Sequence, residues 1–292
     1  MRIVQNVQQL SHIQTPDIST LSLGPFTVHI YALCVLLGAL VALGGAFLRA
    51  RRIHMINLFM PHAGNILDSF FVILPAGIIG ARIYYVLTVP SLFVKNPLSA
   101  FCIWEGGLGI IGGVLAGLLT AYFFFKKRKI SLEWFVWCAA PMVPLAQCIG
   151  RLGNWFNAEL YGSPTDLPWG LDISRGAYSA QVFYHPTFLY EMILDLAVCV
   201  ILLFIFRLPT EPAEIALNFS PLSFYLMLYS AGRFFIELLR TDYSDYLLGA
   251  RVNIWAIVAL FLLGVVITAV GAHNRKKNRS RQQNALKQIQ VQ

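Results

Sequence analysis

The sequence has few charged residues, and this shortage limits the class of protein it can encode. Asp, Glu, Lys and Arg make up 12% of the 292 residues, whereas 57% of the residues are hydrophobic. A soluble domain carries roughly 25% charged residues, so this chain has about half the usual share. Its mean hydropathy is +0.65. These values exclude an ordinary soluble domain and indicate a membrane protein.

The sequence also lacks the spacings that mark disulfide frameworks and metal sites. None of its five cysteines forms a C-x-x-C pair, and all lie in or beside apolar runs, which is typical of small apolar residues at helix interfaces. None of its six histidines belongs to an H-E-x-x-H pattern, so we expect no metal. The first ~25 residues lack a basic segment followed by an apolar one, so we expect no cleavable signal peptide.

The net charge of +8 is not distributed like a nucleic-acid-binding surface. The positive residues occur in short clusters between long apolar runs, and such clusters carry information about membrane topology. We therefore expect no nucleic-acid partner.

Seven apolar runs approach the roughly 20 residues that a transmembrane helix needs. They are Val28–Leu48, Ile66–Thr88, Gly106–Phe125, Leu132–Leu152, Pro186–Phe206, Leu222–Leu239 and Val252–Ala272. Arg233 and Glu237 interrupt the sixth run. The pattern predicts an all-α integral membrane protein with seven transmembrane helices.

The positive residues in the connections predict the orientation of the spans. Fourteen Lys and Arg residues lie in the first, third and fifth connections and the C-terminal tail, and three lie on the opposite side, at Arg2, Lys95 and Arg175. The richer side is expected to be the cytoplasm, which places the N-terminus outside and the C-terminus inside. The predicted parts are an external segment (1–27), a seven-span catalytic domain (28–272) with an external cap (153–185), and a basic cytoplasmic tail (273–292). From Asn274 onward, we expect the tail to lack regular structure.

Five arginines lie inside the predicted spans or at their ends. Charges within a membrane are costly and by default mark a functional site, although long side chains can also extend to the headgroup region. The five are Arg82, Arg151, Arg233, Arg240 and Arg251.

In this orientation, polar residues from six spans lie at a similar depth in the outer leaflet. Arg82, Arg151 and Arg233 lie in the outer parts of the second, fourth and sixth spans. The other spans contribute Tyr31, the run Trp104-Glu105-Gly106-Gly107, and His185 with Glu191. This convergence follows from topology alone.

Arginines at this depth predict an anionic ligand such as a phospholipid headgroup, because guanidinium groups match phosphate geometry and stay charged. Asn154 follows Arg151 at i+3, on one helix face. Arg233 and Glu237 are spaced i,i+4, which allows an ion pair that either orients the arginine for a ligand or is purely structural. Gly106 and Gly107 allow a headgroup to approach the backbone, and close helix packing is the alternative.

One run is specific enough to indicate a family. Residues 150–162 read G-R-L-G-N-W-F-N-A-E-L-Y-G, which closely resembles the segment G-R-x-G-N-F-x-N-x-E-x-x-G of bacterial prolipoprotein diacylglyceryl transferases. Four shorter runs match in the family's order: G-A-R-I-Y-Y from Gly80, W-E-G-G-L from Trp104, H-P-T-F-L-Y-E from His185 and G-R-F-F-I-E-L-L-R from Gly232. The resemblance covers about Tyr31 to Ala272, and the family's seven-span topology agrees with the prediction above.

The resemblance implies a reaction at the inner membrane of a bacterium. The enzyme would transfer the diacylglyceryl group of phosphatidylglycerol to the lipobox cysteine of a preprolipoprotein, forming a thioether and releasing glycerol-1-phosphate, without a cofactor. Matching family positions imply that Arg151 and Arg233 bind the phosphate, and that Asn154 and Glu159 orient the glycerol or the arginines. Tyr31 and Gly162 also match important positions, and Glu237 would hold Arg233. We expect Arg82, Gly106, Gly107, His185, Glu191 and Arg240 to contribute to substrate binding.

The sequence departs from the family pattern at Ile111. Many members carry a histidine in the pattern G-G-M-x-x-H-G-G, and the corresponding stretch here is Gly106 to Gly113, with Ile111 at the histidine position. Isoleucine cannot accept a proton. His185 and Glu191 are the candidate bases, and His185 could instead be a helix-start residue beside Pro186.

Two other functions remain open from the sequence. A transporter would also collect buried charges, but it should line a path through both leaflets and often contains inverted repeats. A non-catalytic relative that binds lipid or lipoprotein is the second alternative, suggested by Ile111.

Overall fold

The computed structural model describes residues 12–24, 26–94, 96–103, 106–174, 182–209, 215 and 220–290. Several residues used in the predictions lie outside these ranges. They are Arg2, Lys95, Arg175, Trp104 and Glu105, together with parts of the predicted N-terminal segment (1–11), cap (175–181) and tail (291–292).

The described chain is mostly helical. Its helices are α1 (Ile30–Ile56), α2 (Gly64–Thr88), α3 (Ile110–Lys127), α4 (Leu132–Ala139), α5 (Val143–Asn157), α6 (Thr187–Ile205), α7 (Pro221–Leu239) and α8 (Val252–Gln290). With α4 and α5 taken as one interrupted span, seven helices of the described chain are long and apolar enough to cross a membrane. A helix satisfies its own backbone hydrogen bonds, which hydrocarbon requires. The prediction of seven helical spans is confirmed.

The fourth span is interrupted by prolines. A short 3₁₀ turn at Ala140–Met142 separates α4 from α5. Pro141 lies inside this turn, and Pro144 lies in the first turn of α5. Proline lacks the N–H that a continuous helix needs. The helix then continues to Asn157, five residues beyond the predicted end of the span at Leu152.

The third span begins at Ile110 instead of at Gly106. Gly106 and Gly107 have φ angles of 86° and 74°, which glycine adopts readily and a helix excludes. This pair therefore forms a turn in front of α3.

The C-terminal tail is helical to Gln290, so the expectation that it lacks regular structure is wrong. Residues 274–290 contain neither proline nor glycine. Lys, Arg, Gln, Ala and Leu, which are good helix formers, dominate this stretch and let α8 continue past the apolar run.

Short strand pairs join the chain segments outside the spans. β1 (Ile13–Gln14) pairs in parallel with β4 (Leu171–Asp172). β2 (Thr20–Leu23) and β3 (Phe26–His29) form a hairpin before α1, and β5 (Tyr246–Leu247) and β6 (Ala250–Arg251) form another before α8. Single bridges join Gly162 to Arg240, and Tyr184 to both Pro164 and Leu171.

The described residues divide into two compact units. One comprises those within 1–45, 139–207 and 217–292, and the other those within 46–138 and 208–216. In the first unit, α6 packs against α5 and α7, and α7 packs against α8. In the second, α2 packs against α3, and the two helices approach closely because a Cβ at Gly80 would lie 2.6 Å from the Gly112 carbonyl oxygen.

Candidate functional site

A buried glutamate on α6 links two arginines from different helices. Arg233 Nη1, on α7, donates to Glu191 Oε1 at 2.5 Å, and Arg151 Nη2, on α5, pairs with Glu191 Oε2. Glu191 is only 1% exposed. A buried carboxylate costs free energy unless it is paired, so this contact fixes the two guanidinium groups relative to each other.

Glu237 holds the other side of Arg233. Arg233 Nη2 donates to Glu237 Oε2 at 2.7 Å, so the i,i+4 ion pair predicted from the sequence is present. Glu237 Oε1 accepts a hydrogen bond from Asn253 Nδ2 at 3.0 Å and pairs with Arg251 Nε at 3.1 Å. The Arg233 guanidinium is thereby held between two carboxylates, and the start of α8 is joined to α7.

The network continues beyond the end of α7. Arg240 Nε donates to Asp242 Oδ1 at 2.7 Å, and Arg251 Nη2 lies 3.3 Å from the same oxygen. Burial by itself raises the pKa of the Asp242 carboxyl. The hydrogen bond from Arg240 and the charges of Arg240 and Arg251 outweigh burial and lower the pKa below its ordinary value.

This lowered pKa predicts a pH dependence of stability. Because the folded-state pKa of Asp242 lies below its unfolded value of about 3.9, the carboxylate stabilises the fold above that pH, and the contribution is lost as the pH falls through the lowered pKa. Asp242→Asn should lower the Tm in detergent at pH 7, and the Tm difference from the wild-type protein should shrink as the pH is lowered toward about 3. A Tm difference that stays constant with pH would contradict this account.

Arg151 also begins a chain of polar contacts at the end of α5. Its Nη1 donates to Asn154 Oδ1 at 3.3 Å, and Asn154 Nδ2 donates to Glu159 Oε1 at 2.9 Å. Asn157 Nδ2 donates to the same Glu159 oxygen at 3.2 Å. Ala158 has a φ of 53°, a left-handed conformation that ends the helix, and the chain turns so that Glu159 reaches back to Asn154. Glu159 therefore orients Asn154, and Asn154 orients Arg151.

Gly162 lies where three chain segments meet. Its N–H donates to the His185 carbonyl oxygen at 2.9 Å. An added Cβ would lie 2.8 Å from His185 Cβ, 2.9 Å from the Leu239 carbonyl oxygen and 3.0 Å from Thr187 Cγ2. The site therefore has no room for a side chain at this position. The His185 ring faces Tyr190, with Nδ1 at 3.1 Å from the hydroxyl oxygen.

Tyr31 lies in the first turn of α1 and packs against α5. A Cβ at Gly153 would lie 2.5 Å from Tyr31 Cδ2 and 3.0 Å from Tyr31 Cα. The missing side chain of Gly153 thus lets Tyr31 approach the helix that carries Arg151 and Asn154. The first unit brings together elements that the sequence separates by more than 200 residues.

Arg151 is the most accessible arginine of this network. Its side chain is 21% exposed, compared with 10% for Arg233, 7% for Arg240 and 10% for Arg251. A group that enters from outside can therefore contact the Arg151 guanidinium, while the carboxylates behind it keep the guanidinium in place. Such an arrangement suits recognition of a phosphate.

Arg82, Gly106 and Gly107 form a separate arrangement inside the second unit. Arg82 Nε donates to the Ala100 carbonyl oxygen at 2.9 Å, and Nη2 donates to Ser99 O at 2.5 Å. Its Nη1 donates to the carbonyl oxygens of Gly106 and Gly107. The guanidinium is thus engaged by four backbone carbonyls of the loop before α3. Its predicted contact with substrate stays a prediction, and the geometry favours a role in shaping this loop.

Removal of Arg82 should therefore loosen the loop. Arg82→Met should lower the stability of the protein by about 3 kcal/mol, because charged hydrogen bonds contribute roughly 1.5–3 kcal/mol each and are not additive. Hydrogen exchange measured by mass spectrometry should show faster exchange of amides 98–103, with α4 as an internal reference. Unchanged exchange in that loop would rule out the structural role.

Several members of the network were not predicted from the sequence. Asp242 and Asn253 received no role, and Arg251 was noted only as a span-end arginine. The weak signal available was the density of charge between Glu237 and Arg251, which lies at the boundary of two spans. Among the described residues, no group of three or more His, Cys, Asp and Glu side chains is placed to hold a metal ion.

Comparison with protein families gives a match to the model for prolipoprotein diacylglyceryl transferase over residues 19–270. This range contains every site residue described above. The chain belongs to the prolipoprotein diacylglyceryl transferase family.

Relatives of this family support the assignment along most of the chain. Each is named phosphatidylglycerol–prolipoprotein diacylglyceryl transferase. The protein from Bifidobacterium adolescentis is 40% identical over 277 residues, covering 88% of this chain and 79% of the relative. The protein from Paenarthrobacter aurescens is 38% identical over 292 residues, covering 94% and 87%. The second such enzyme of Streptomyces coelicolor is 37% identical over 273 residues, covering 90% and 82%.

Membership in the prolipoprotein diacylglyceryl transferase family establishes that the chain is a transferase. The family and the seven apolar helices together establish a multi-pass membrane protein. Arg151, Glu191, Arg233 and Glu237 of the buried network lie on helices that are long and apolar enough to cross a membrane.

Proposed function

We propose that this transferase moves the diacylglyceryl group of phosphatidylglycerol to the lipobox cysteine thiol of a preprolipoprotein. The sulfur forms a thioether with the terminal carbon of the diacylglyceryl group, and glycerol-1-phosphate leaves. The names of the relatives support the two substrates. The reaction would be the first step of lipoprotein maturation.

The observation that carries this proposal is the way Arg151 is held. Its guanidinium is oriented by Glu191 and Asn154 and yet is partly exposed. The phosphate of a phospholipid carries one negative charge, and the phosphate that leaves gains more. A fixed guanidinium in a poorly hydrated site stabilises such developing charge strongly. We assign Arg151 to direct phosphate contact and Arg233 to the second side of the same anion.

The remaining site residues would support this contact. Glu159 and Asn154 orient Arg151. Glu191 sets the distance between Arg151 and Arg233, and Glu237 fixes the Arg233 guanidinium. Tyr31 and Gly162 shape the walls around the headgroup. Arg240 and His185 flank the same region, whereas Arg82, Gly106 and Gly107 define the loop before α3. The proposed reaction needs no cofactor, because the phosphate ester leaves with the bonding electron pair.

We also propose that the site faces the outer leaflet of the cytoplasmic membrane. The Lys and Arg residues of the first and third connections and of the tail favour the cytoplasmic side for those segments. The N-terminus and the cap would then lie outside, where translocated preprolipoproteins arrive. This orientation puts Arg151 and Arg233 at the depth of the outer-leaflet phosphates.

A transfer assay tests the proposal. The purified protein in detergent is mixed with phosphatidylglycerol and a lipobox peptide, and the mass of the peptide is recorded. We expect a mass gain of one diacylglyceryl group on the cysteine, and no gain on a peptide with serine in its place. A folded protein that gives no product under conditions in which a histidine-bearing relative is active would overturn the proposal.

A further inference from the structure

One buried acidic side chain has no role in the site described so far. Asp195 lies on α6, one turn after Glu191, and is 0% exposed. Neither of its carboxylate oxygens accepts a hydrogen bond from any described residue. A buried carboxylate without a donor costs free energy, so its presence beside the site requires an explanation.

The surroundings of Asp195 are polar and come from three helices. The titratable and charged groups that interact with it are Cys148 and Arg151 on α5, Glu191 on α6, and Tyr225, Tyr229 and Arg233 on α7. Glu191 and Asp195 lie on the same helix face. Asp195 thus lies directly beneath the arginine–carboxylate network, about 6 Å further along the helix axis.

Glu191 and Asp195 differ in the partners of their carboxylate oxygens. Each of the two Glu191 oxygens forms an ion pair, one with Arg151 and one with Arg233. The described part of the chain leaves both Asp195 oxygens open as acceptors. The network therefore keeps one carboxylate fixed by arginines and a second one, a turn away, available.

Tyr229 connects Asp195 with the accessible part of the site. It is half-buried on α7, and it lies close enough to both Arg151 and Asp195 to interact with them electrostatically. A tyrosine hydroxyl carries one O–H donor and also accepts hydrogen bonds. The Tyr229 hydroxyl can thus take up one proton and pass on another.

We propose that Asp195 is the terminal acceptor of the thiol proton, reached through the Tyr229 hydroxyl. This inference rests on the proposed function. In this step the Tyr229 O–H rotates toward Asp195, which at rest has no donor among the described residues. The Tyr229 O–H proton passes to Asp195 as the substrate S–H proton passes to the Tyr229 oxygen. The sulfur electron pair forms the S–C bond, the C–O bond to the phosphate breaks, and its electron pair leaves with glycerol-1-phosphate. Asp195 ends as the neutral acid and afterwards returns the proton to solvent.

The placement of the two groups suits a displacement at carbon. The arginines hold the leaving phosphate at one end of the reacting carbon, and the sulfur must attack from the other end. In the proposed orientation, Asp195 lies deeper in the membrane than Arg151, on the side away from the phosphate. Asp195 would also supply the proton acceptor that Ile111, at the usual histidine position, cannot provide.

A peptide with selenocysteine in place of the lipobox cysteine separates a proton acceptor from a structural residue. A selenol is ionised at neutral pH and needs no base. Asp195→Asn should slow transfer to the cysteine peptide by about 100-fold at pH 7, and transfer to the selenocysteine peptide should stay within about threefold of the wild-type rate. The rate of the variant with the cysteine peptide should rise about tenfold per pH unit until the thiol ionises near pH 8.5. Tyr229→Phe should show the same selectivity.

A matched control is Asp68→Asn, which changes a span carboxylate that is exposed and paired with Arg128, and which should leave both rates unchanged. If Asp195→Asn transferred to the cysteine peptide at the wild-type rate, or were slowed equally with both peptides, Asp195 would not be the proton acceptor. Wild-type protein that modifies neither peptide would overturn the proposed function itself.

Discussion

Arg151→Lys should reduce diacylglyceryl transfer by about 100-fold or more while the protein stays folded. Arg151 uses two nitrogens, one toward Asn154 and one toward Glu191. A lysine ammonium is a point charge that cannot keep both contacts and also meet a phosphate with the same geometry. Loss of one preorganised donor to a developing anion costs about 10²–10³ in kcat. Glu191 keeps its bond to Arg233, so the stability loss should be about 1–2 kcal/mol.

The control for this prediction is the exposed ion pair between Arg128 and Asp68. Arg128 lies 2.6 Å from Asp68, and both side chains are exposed, at 41% and 51%. Exposed pairs contribute about 0–1 kcal/mol, so Arg128→Lys should change neither the transfer rate nor the Tm. Steady-state rates with phosphatidylglycerol and a lipobox peptide, together with Tm values in detergent, make the comparison. Equal rates for Arg151→Lys and wild-type protein would remove Arg151 from phosphate recognition.

Substitution of Arg233 should have a different effect from substitution of Arg151, although the sequence predicts the same role for both arginines. From the sequence we expect alanine at either position to abolish transfer and leave the fold intact. The structure places Arg233 between two buried carboxylates, Glu191 and Glu237. Removal of one partner of a buried ion pair costs about 3–5 kcal/mol. The Arg233→Ala protein should therefore lose stability as well as activity. At Arg151, a substitution can lower the activity while the protein stays folded.

Gly162→Ala is the second substitution with a large expected effect. The new Cβ would lie 2.8–3.0 Å from atoms of His185, Leu239 and Thr187, one of them a backbone oxygen. Overpacking of this kind costs about 1–3 kcal/mol. The displacement would also break the hydrogen bond from Gly162 to His185 and shift Arg240, which bridges to Gly162. We expect transfer to fall by about tenfold or more, because small displacements near a reacting centre are costly.

Gly44→Ala is the matched control in the same unit. A Cβ at Gly44 has no neighbouring atom within 4 Å, and alanine favours a helix more than glycine does by about 1 kcal/mol. The variant should be as active as the wild-type protein and slightly more stable. Transfer rates and Tm values decide the outcome, and a Gly162→Ala protein with a normal rate would show that the three neighbours move aside without consequence.

The spans could be predicted because length and hydropathy alone decide them. The ends of the spans are predicted less accurately, since each end depends on a local effect. Pro141 and Pro144 break the fourth span, and the left-handed glycines 106 and 107 delay the third. In the tail, the density of charge predicts a lack of regular structure, whereas the helix propensity of its residues favours the helix that the structure shows.

The contacts of the site also differ in whether the sequence predicts them. The Arg233–Glu237 pair follows from helical spacing, and so does the contact between Arg151 and Asn154. The bridge made by Glu191 does not, because its partners lie on two other helices, 40 and 42 residues away along the chain. Arg82 illustrates the limit of the argument from depth, since an arginine in a span can be engaged by carbonyls of its own loop instead of by a ligand.

The network around Arg233 also has a consequence for how the protein is made. Glu191 enters the membrane before Arg233, which follows 42 residues later. A ribosome that adds about 5–20 residues per second needs roughly 2–8 seconds for that distance. During this interval Arg151 is the one arginine of the network already made that can neutralise Glu191. Glu237 in turn lacks two of its partners until Arg251 and Asn253 have been added. A chain cut short between Glu237 and α8 would therefore keep this carboxylate without them and should be a target for quality-control proteases.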